Sequence, residues 1–440
     1  MTAYPAHKAS GIEWIGDIPE HWYGKKMKYI GSLYGGLSGK SGNDFKTDSE
    51  LNKPFIPFTN IANNDEIDLS QLQKVIIKED ERQNKVEQED LFFLMSSENF
   101  DDIGKSAVLL DSVDEVYLNS FCRGFRLKNK NYKAKFLNYL LKAQQYRNQI
   151  ISEAKGFTRI NLKMEKINDL IVFCPPLEEQ TQIAQFLDQK TAEIDTAIAD
   201  LQQLIKLLKE KRKALINEAV TKGINPKAPL KPSGIEWIGD IPEHWDNTIF
   251  KRYCHLQQGL QIPISKRLLE KVDNSYEYIT TKSIHNPDDY RQYILNPKES
   301  VICFEDDIIL GRTGNTGEVV TGVHGVFHNN FFKIDFNREK ISKDFLVNYL
   351  KNSRLQESIM LVAGTTTIPD LNHGDFLALP LLLPPLEEQT EIVTHIEKET
   401  QRIDTEIQFS KEEINLLKEY KQALITEAVT GKIDVRNYKL

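Results

Sequence analysis

Ser10–Trp22 reads SGIEWIGDIPEHW, and Ser233–Trp245 reads the same thirteen residues without one change. The register runs on, since Gly36-Leu37 stands at the same offset as Gly259-Leu260. A second match follows at a different offset. Pro175–Ile224 opens PPLEEQTQI and closes ALINEAVTKGI, whereas Pro384–Ile433 opens PPLEEQTEI and closes ALITEAVTGKI, with no gap between them. The order is variable unit, matched segment, variable unit, matched segment. Two copies of so long a period exclude a solenoid, which stacks many short repeats. The chain is a tandem duplication of one domain and one spacer.

The matched segments carry helix signals. Pro-Pro suits a helix start and not an interior, and Glu178-Glu179 and Glu387-Glu388 complement the positive end of the helix dipole. Apolar residues then step by three and four: Leu187, Ile194, Ile198, Leu201, Ile205, Leu208, Leu215 and Ala219 in the first, Ile396, Ile403, Ile407, Ile414, Leu417, Leu424 and Ala428 in the second. Thr191, Thr400, Ser410, Arg212 and Lys421 interrupt the seams. A period near 3.5 held over several heptads predicts a coiled coil, and two matched acidic-faced helices predict mutual pairing.

The spacers are placed at 175–221 and 384–431, and the variable units at 1–174 and 222–383. Both units read as mixed α/β (α+β). Strand-like runs such as Val75–Ile77, Leu91–Met95 and Ile308–Leu310 precede helical patterns at Phe136–Ser152 and Phe345–Leu361. They share landmarks: an extended start (Phe55–Ile61; Tyr276–Ile284), an acid before an apolar strand (Asp90; Asp307) and a Gly-bearing turn (Asn99–Gly104; Gly311–Gly317). An Asn-aromatic strand (Asn119–Leu127; Asn329–Ile334) and a Gly/Thr loop (Gly156–Leu162; Gly364–Leu371) follow.

At 440 residues, 40% apolar and 27% charged, the chain has an ordinary globular balance and room for several domains. No apolar run approaches the ~18 residues of a membrane span, and Met1–Ser10 lacks a signal-peptide core, so a cytoplasmic protein with no membrane partner is expected. Cys122, Cys174, Cys254 and Cys303 stand singly, which fits buried reduced thiols rather than a zinc site or a disulfide framework. The net charge of −8 is confined to the two helical segments. Within the neutral remainder, Phe121–Lys166 holds twelve Lys/Arg against two acids, which reads as a phosphate-facing surface.

SGIEWIGDIPEHW opening each half, the loops Gly156-Phe157-Thr158 and Gly364-Thr365-Thr366, and PPLEEQ leading into a helix that ends EAVT together resemble the specificity (S) subunits of type I restriction-modification systems. The likeness spans nearly the whole chain. It implies two target recognition domains, each reading half of a bipartite double-stranded DNA site, separated by two long helices in an antiparallel coiled coil with pseudo-two-fold symmetry. It also implies two adenine methyltransferase (M) subunits docked on that scaffold and restriction (R) subunits beyond them. S-adenosylmethionine, ATP and Mg2+ would then sit on those partners, leaving this chain with no cofactor, no metal and no catalytic residue. Phe157 against Thr365, and Ala9 against Pro232, are small departures between the two halves. The family has no universal base-reading residues, so no base contact carries over.

Motifs for independent chemistry fail one by one. Gly35–Ser41 (GGLSGKS) would need glycine at Tyr34 to be a phosphate loop, and Gly311–Gly317 is not a dinucleotide fingerprint. The methyltransferase Asn-Pro-Pro-aromatic segment is missing, and Pro369-Asp370 has only Glu419-Tyr420-Lys421, on the helix, to complete a nuclease string. Glu20-His21-Trp22 and Glu243-His244-Trp245 read as packing. Direct base readout uses Arg, Lys, Asn and Gln on loops. The candidates are Lys40, Asn43, Lys105, Arg159 and Lys163 in the first unit, and Gln258, Gln261, Lys266, Arg267, Arg312 and Asn315 in the second. Lys128, Lys130 and Lys133 are candidates for sequence-neutral phosphate contact. An assembly protein that never reads sequence, and a self-sufficient enzyme, are the competing classes.

Overall fold

Leu91–Leu94 is apolar at every position because both faces of this strand are covered. Successive strand side chains point to opposite sides. Leu91 and Phe93 join a core with Phe125, Phe136 and Tyr146, whereas Phe92 and Leu94 join a second core with Ile56, Ile61 and Leu118. The strand lies inside an antiparallel sheet ordered Gly31–Gly35, Cys122–Leu127, Leu91–Leu94, Ser106–Val108. A smaller sheet sets Asn52–Ile56 parallel to Tyr117–Leu118 and antiparallel to Gln73–Ile76.

The second half of the chain repeats this plan. Its antiparallel sheet is ordered Cys254–Gln258, Phe331–Phe336, Ile308–Gly311, Val319–Val320. Ile308 and Leu310 face one core and Ile309 the other. Ser275–Ile279 runs parallel to Gly325–Phe327. The duplicated Gly36 and Gly259 mark a close backbone approach: a Cβ at Gly36 would lie 2.0 Å from the Asn119 carbonyl oxygen, and one at Gly259 would lie 2.3 Å from that of His328.

This computed structural model describes residues 3–46, 49–364 and 369–438. The chain divides into two compact units, one made of 1–201 with 412–440 and the other of 202–411. Each unit therefore takes half of each long helix, Leu177–Lys222 and Leu386–Val429, where the sequence boundaries had set the spacers apart as segments of their own. The helices run antiparallel within each unit. In the first, Ile183 and Leu187 near the start of one share a core with Leu424, Ala428 and Val429 at the end of the other. In the second, Ala219 and Val220 share a core with Ile392, Val393 and Ile396.

Along the predicted seam Leu187, Ile194, Leu208, Ile396, Ile403, Ile407, Ile414 and Leu424 are buried, and Ile198, Leu201, Ile205, Leu215 and Leu417 are half-buried. The polar interruptions are accommodated in two ways. The hydroxyls of Thr191, Thr400 and Ser410 donate to the carbonyls four residues back, Leu187, Ile396 and Glu406. Lys421 and Arg212 reach across instead, Lys421 Nζ to Asp195 at 2.7 Å in the first unit and Arg212 Nε to Asp404 at 3.0 Å in the second.

The first unit is closed by the end of the chain. Lys432 Nζ donates to the Asp17 carbonyl at 2.8 Å, Val435 is buried in the core, and the Tyr438 ring meets Phe186 edge-on at 4.8 Å. In the second unit the hairpin of Leu230–Pro232 with Asp240–Pro242 follows directly from the first long helix.

Two expectations are corrected. The extended starts end at Ile56 and Ile279, and Phe58–Asn63 and Thr281–His285 are short helices. Pro57 has no N–H for the ladder, and the Thr280 hydroxyl accepts from the Ser283 amide, which begins a helical turn. The helical patterns at 136–152 and 345–361 are each two helices. Ala134–Lys142 and Gln144–Ser152 part at Ala143, and Lys343–Leu350 and Ser353–Ala363 part at Asn352, whose side chain caps the second of the pair.

No helix among the described residues is long and apolar enough to cross a membrane. All four cysteines are free and buried, and burial raises each thiol, Cys122 to about 12 and Cys303 to about 11, which keeps them protonated.

Candidate nucleic-acid interface

The repeated motifs form a frame that holds the divergent loops. Glu179 complements its helix dipole, as its position predicts, but its carboxylate also turns inward and is 5% exposed. It accepts from Tyr4 Oη at 2.7 Å and Trp22 Nε1 at 3.0 Å, and pairs with His21 Nε2 at 2.7 Å. Glu388 pairs with His244 Nε2 at 2.6 Å, while Trp245 Nε1 has no hydrogen-bond partner among the described residues. The two EHW segments are packing elements keyed to the second glutamate of each EEQ. The glutamine that follows is fully buried in both units. Gln180 accepts from the Lys133 amide and donates to the Asn131 and Pro175 carbonyls, and Gln389 accepts from the Ser342 amide and donates to the Lys340 and Pro384 carbonyls. Each EEQ thus staples its helix start to the EHW segment and to the turn that opens an earlier helix of the same unit, Ala134–Lys142 or Lys343–Leu350.

The acid landmark is also structural. Asp90, 1% exposed, accepts from Tyr34 Oη, the Glu87 amide and both Nε and Nη2 of Arg126. The hydrogen bond to Asp90 raises the Arg126 guanidinium, while burial and then the Asp90 charge push the Tyr34 hydroxyl up. Asp307 accepts from the Phe304 amide in the same way.

Several reader candidates are engaged within the domains. Lys40 is paired with Glu81, and Lys105 with Asp102 at 2.6 Å. Arg267 donates twice to the Ile262 carbonyl and lies over the Tyr278 ring, pinning its loop. Arg312 holds Asp370 through Nε and Nη2 at 2.8 and 2.9 Å. Asn315 donates to Glu318 at 3.2 Å. Asn43, in the short Gly42–Phe45 helix, Lys163, Gln258, Gln261 and Lys266 are exposed. Arg159 is exposed but held, with Nε on Ser96 Oγ at 2.8 Å and its guanidinium over the Phe121 ring at 4.3 Å. Thr365 and Thr366 of the second Gly/Thr loop lie outside the described residues.

The basic run Phe121–Lys166 is not one bare cationic surface. Acids distant in sequence meet it: Glu87 and Asp90 on Arg126, Glu66 and Asp188 on Lys135, and Asp65 on Lys142. Lys133 lies 3.9 Å from Glu89, Lys166 pairs with Glu153, and Lys128 donates to the Lys28 carbonyl. Counting charge along the sequence cannot register such partners. Lys128, Lys130, Lys155, Arg159 and Lys163 are the exposed cations of the run that pair with no acid among the described residues. Two exposed aromatic residues lie in the same run: Phe121, 46% exposed and under the Arg159 guanidinium, and Phe157, exposed over its whole ring. The bulky residue inside Gly156-Phe157-Thr158 was the available signal.

Comparison with known proteins matches this duplicated architecture. The family model described as the type I restriction modification DNA specificity domain matches residues 20–207 and again 245–418. The chain is 27% identical to the StySPI specificity subunit of Salmonella potsdam, with 95% of this chain and 90% of that one covered. It is 26% identical to the EcoKI specificity subunit of Escherichia coli K12 at the same coverages. In fold it is similar to a chain solved in work on the assembly and conformational transition of the type I R-M system, with a TM-score of 0.70 and 15% identity over 94% of this chain and 99% of that one. With two domain copies that together span most of its length, this chain belongs to the type I restriction-modification DNA specificity family.

Proposed function

We propose that each unit reads one half of a bipartite duplex site, that the two long helices set the gap between the halves, and that two adenine methyltransferase subunits dock on this chain, with restriction subunits joining them. The catalytic chemistry, with its S-adenosylmethionine, ATP and Mg2+, resides on those partners. The observation that carries this reading is the repeated frame of Glu179/Glu388 and Gln180/Gln389 supporting loops that differ between the units. One frame with two loop sets suits two readers of different sequence on one scaffold, since scaffolds position and loops specify. Exposed Asn43, Lys130, Arg159 and Lys163 in the first unit, and exposed Gln258, Gln261 and Lys266 in the second, are the side chains assigned to DNA contact.

The test is co-expression with the methyltransferase partner, followed by sequencing of methylated adenines. A two-part motif with an undefined gap is expected. Exchanging residues 25–174 for those of a relative should change one half of that motif and leave the other. Alteration of both halves would overturn independent reading, and methylation without any motif would favour a pure assembly protein.

A further inference from the structure

Phe157 stands at the tip of a built loop. The Lys155 and Asn161 backbones exchange hydrogen bonds of 3.0 and 2.9 Å, and Ile160–Asn161 pairs with Ser96–Ser97, which closes the loop at its base. Gly156 sits at φ +142°, and a Cβ there would lie 2.0 Å from the Arg159 carbonyl oxygen, so the turn is tight and only glycine fits it. The ring of Phe157 is 102% exposed, held out from the surface with nothing covering it. Three exposed cations surround it in sequence, Lys155, Arg159 and Lys163, and Arg159 is fixed by Ser96 and by stacking on half-exposed Phe121.

A lone exposed apolar side chain needs no explanation. A fully exposed ring on a pinned turn, flanked in sequence by exposed cations and two residues from a stacked arginine, has the chemistry of a duplex DNA wedge. The cations neutralise phosphates, and a flat apolar group enters and partly unstacks a base step. We infer that Phe157 inserts into the base stack of the half-site read by the first unit, making that half-site selective for an easily unstacked step. The inference rests on the reading that this unit binds duplex DNA. Thr365 occupies the matching position of the second loop, so the distortion belongs to one half-site.

The test uses the full chain with its methyltransferase partner on duplexes carrying 2-aminopurine at successive positions of that half-site. Wild type should brighten the probe at one step. Phe157→Ala should abolish the brightening and weaken binding about tenfold, while Phe157→Trp retains both. Phe157 packs against nothing, so the melting transition should not move. Equal brightening by Phe157→Ala overturns the wedge. So does an unchanged affinity for DNA coupled with loss of the methyltransferase, which would place the ring at a protein interface. Wild type that shows no preference for any site overturns the recognition reading itself.

Discussion

Glu179 gathers Tyr4, His21 and Trp22 around one buried carboxylate, and its removal leaves donors without an acceptor. Such orphaned partners cost more than the net value of the bonds that held them. Glu179→Ala should destabilise the first unit by about 3 kcal/mol in urea denaturation. Glu388→Ala, which among the described residues strands His244, should cost about 1 kcal/mol. Equal losses would mean that the frame is not anchored where the hydrogen bonds place it. The acidic helix start was legible in Glu178-Glu179, because dipole complementarity is a local property. The inward turn of Glu179 was not, because its partner Tyr4 lies 175 positions away. Lys40 and Arg312 show the same limit: each reads as a loop cation, and each is engaged by an acid remote in the chain.

At the scale of elements, the long helices were the most readable part of the molecule. Their apolar spacing survives in the buried positions from Leu187 to Leu208 and from Ile396 to Leu424. Breaks at Ala143 and Asn352 are not legible in the sequence because the apolar period continues through them, and only a cap or a single ψ marks the change. Seven residues inserted after Gln203 and again after Glu412 keep every seam contact in phase and lengthen each helix by about 10.5 Å. If the helices set the gap, the methylation motif should keep both half-sites and widen by roughly three base pairs. An active, lengthened protein that methylates at the original gap would remove the helices from that role.

For the whole molecule, tandem order in sequence becomes interrupted order in space. The first unit is completed by residues 412–440, a dependence that no local pattern announces. Deleting residues 432–440 removes Val435 from the core and Tyr438 from Phe186. Burial of two such side chains is worth about 3–5 kcal/mol. Hydrogen exchange should show protection falling by that amount in the first unit while amides of 202–411 keep theirs. A uniform loss across both units would contradict the division.

Synthesis runs against this arrangement. Residues 1–201 leave the ribosome first, yet Leu187 and Ile194 wait for Leu424 and Ala428 to cover them. At about 5–20 residues per second, the 211 positions from 201 to 412 impose a delay of roughly 10–40 seconds. Over that interval the nascent first unit presents an uncovered helix face to chaperones and to neighbouring chains. The half of the protein that is translated first is therefore the half that matures last.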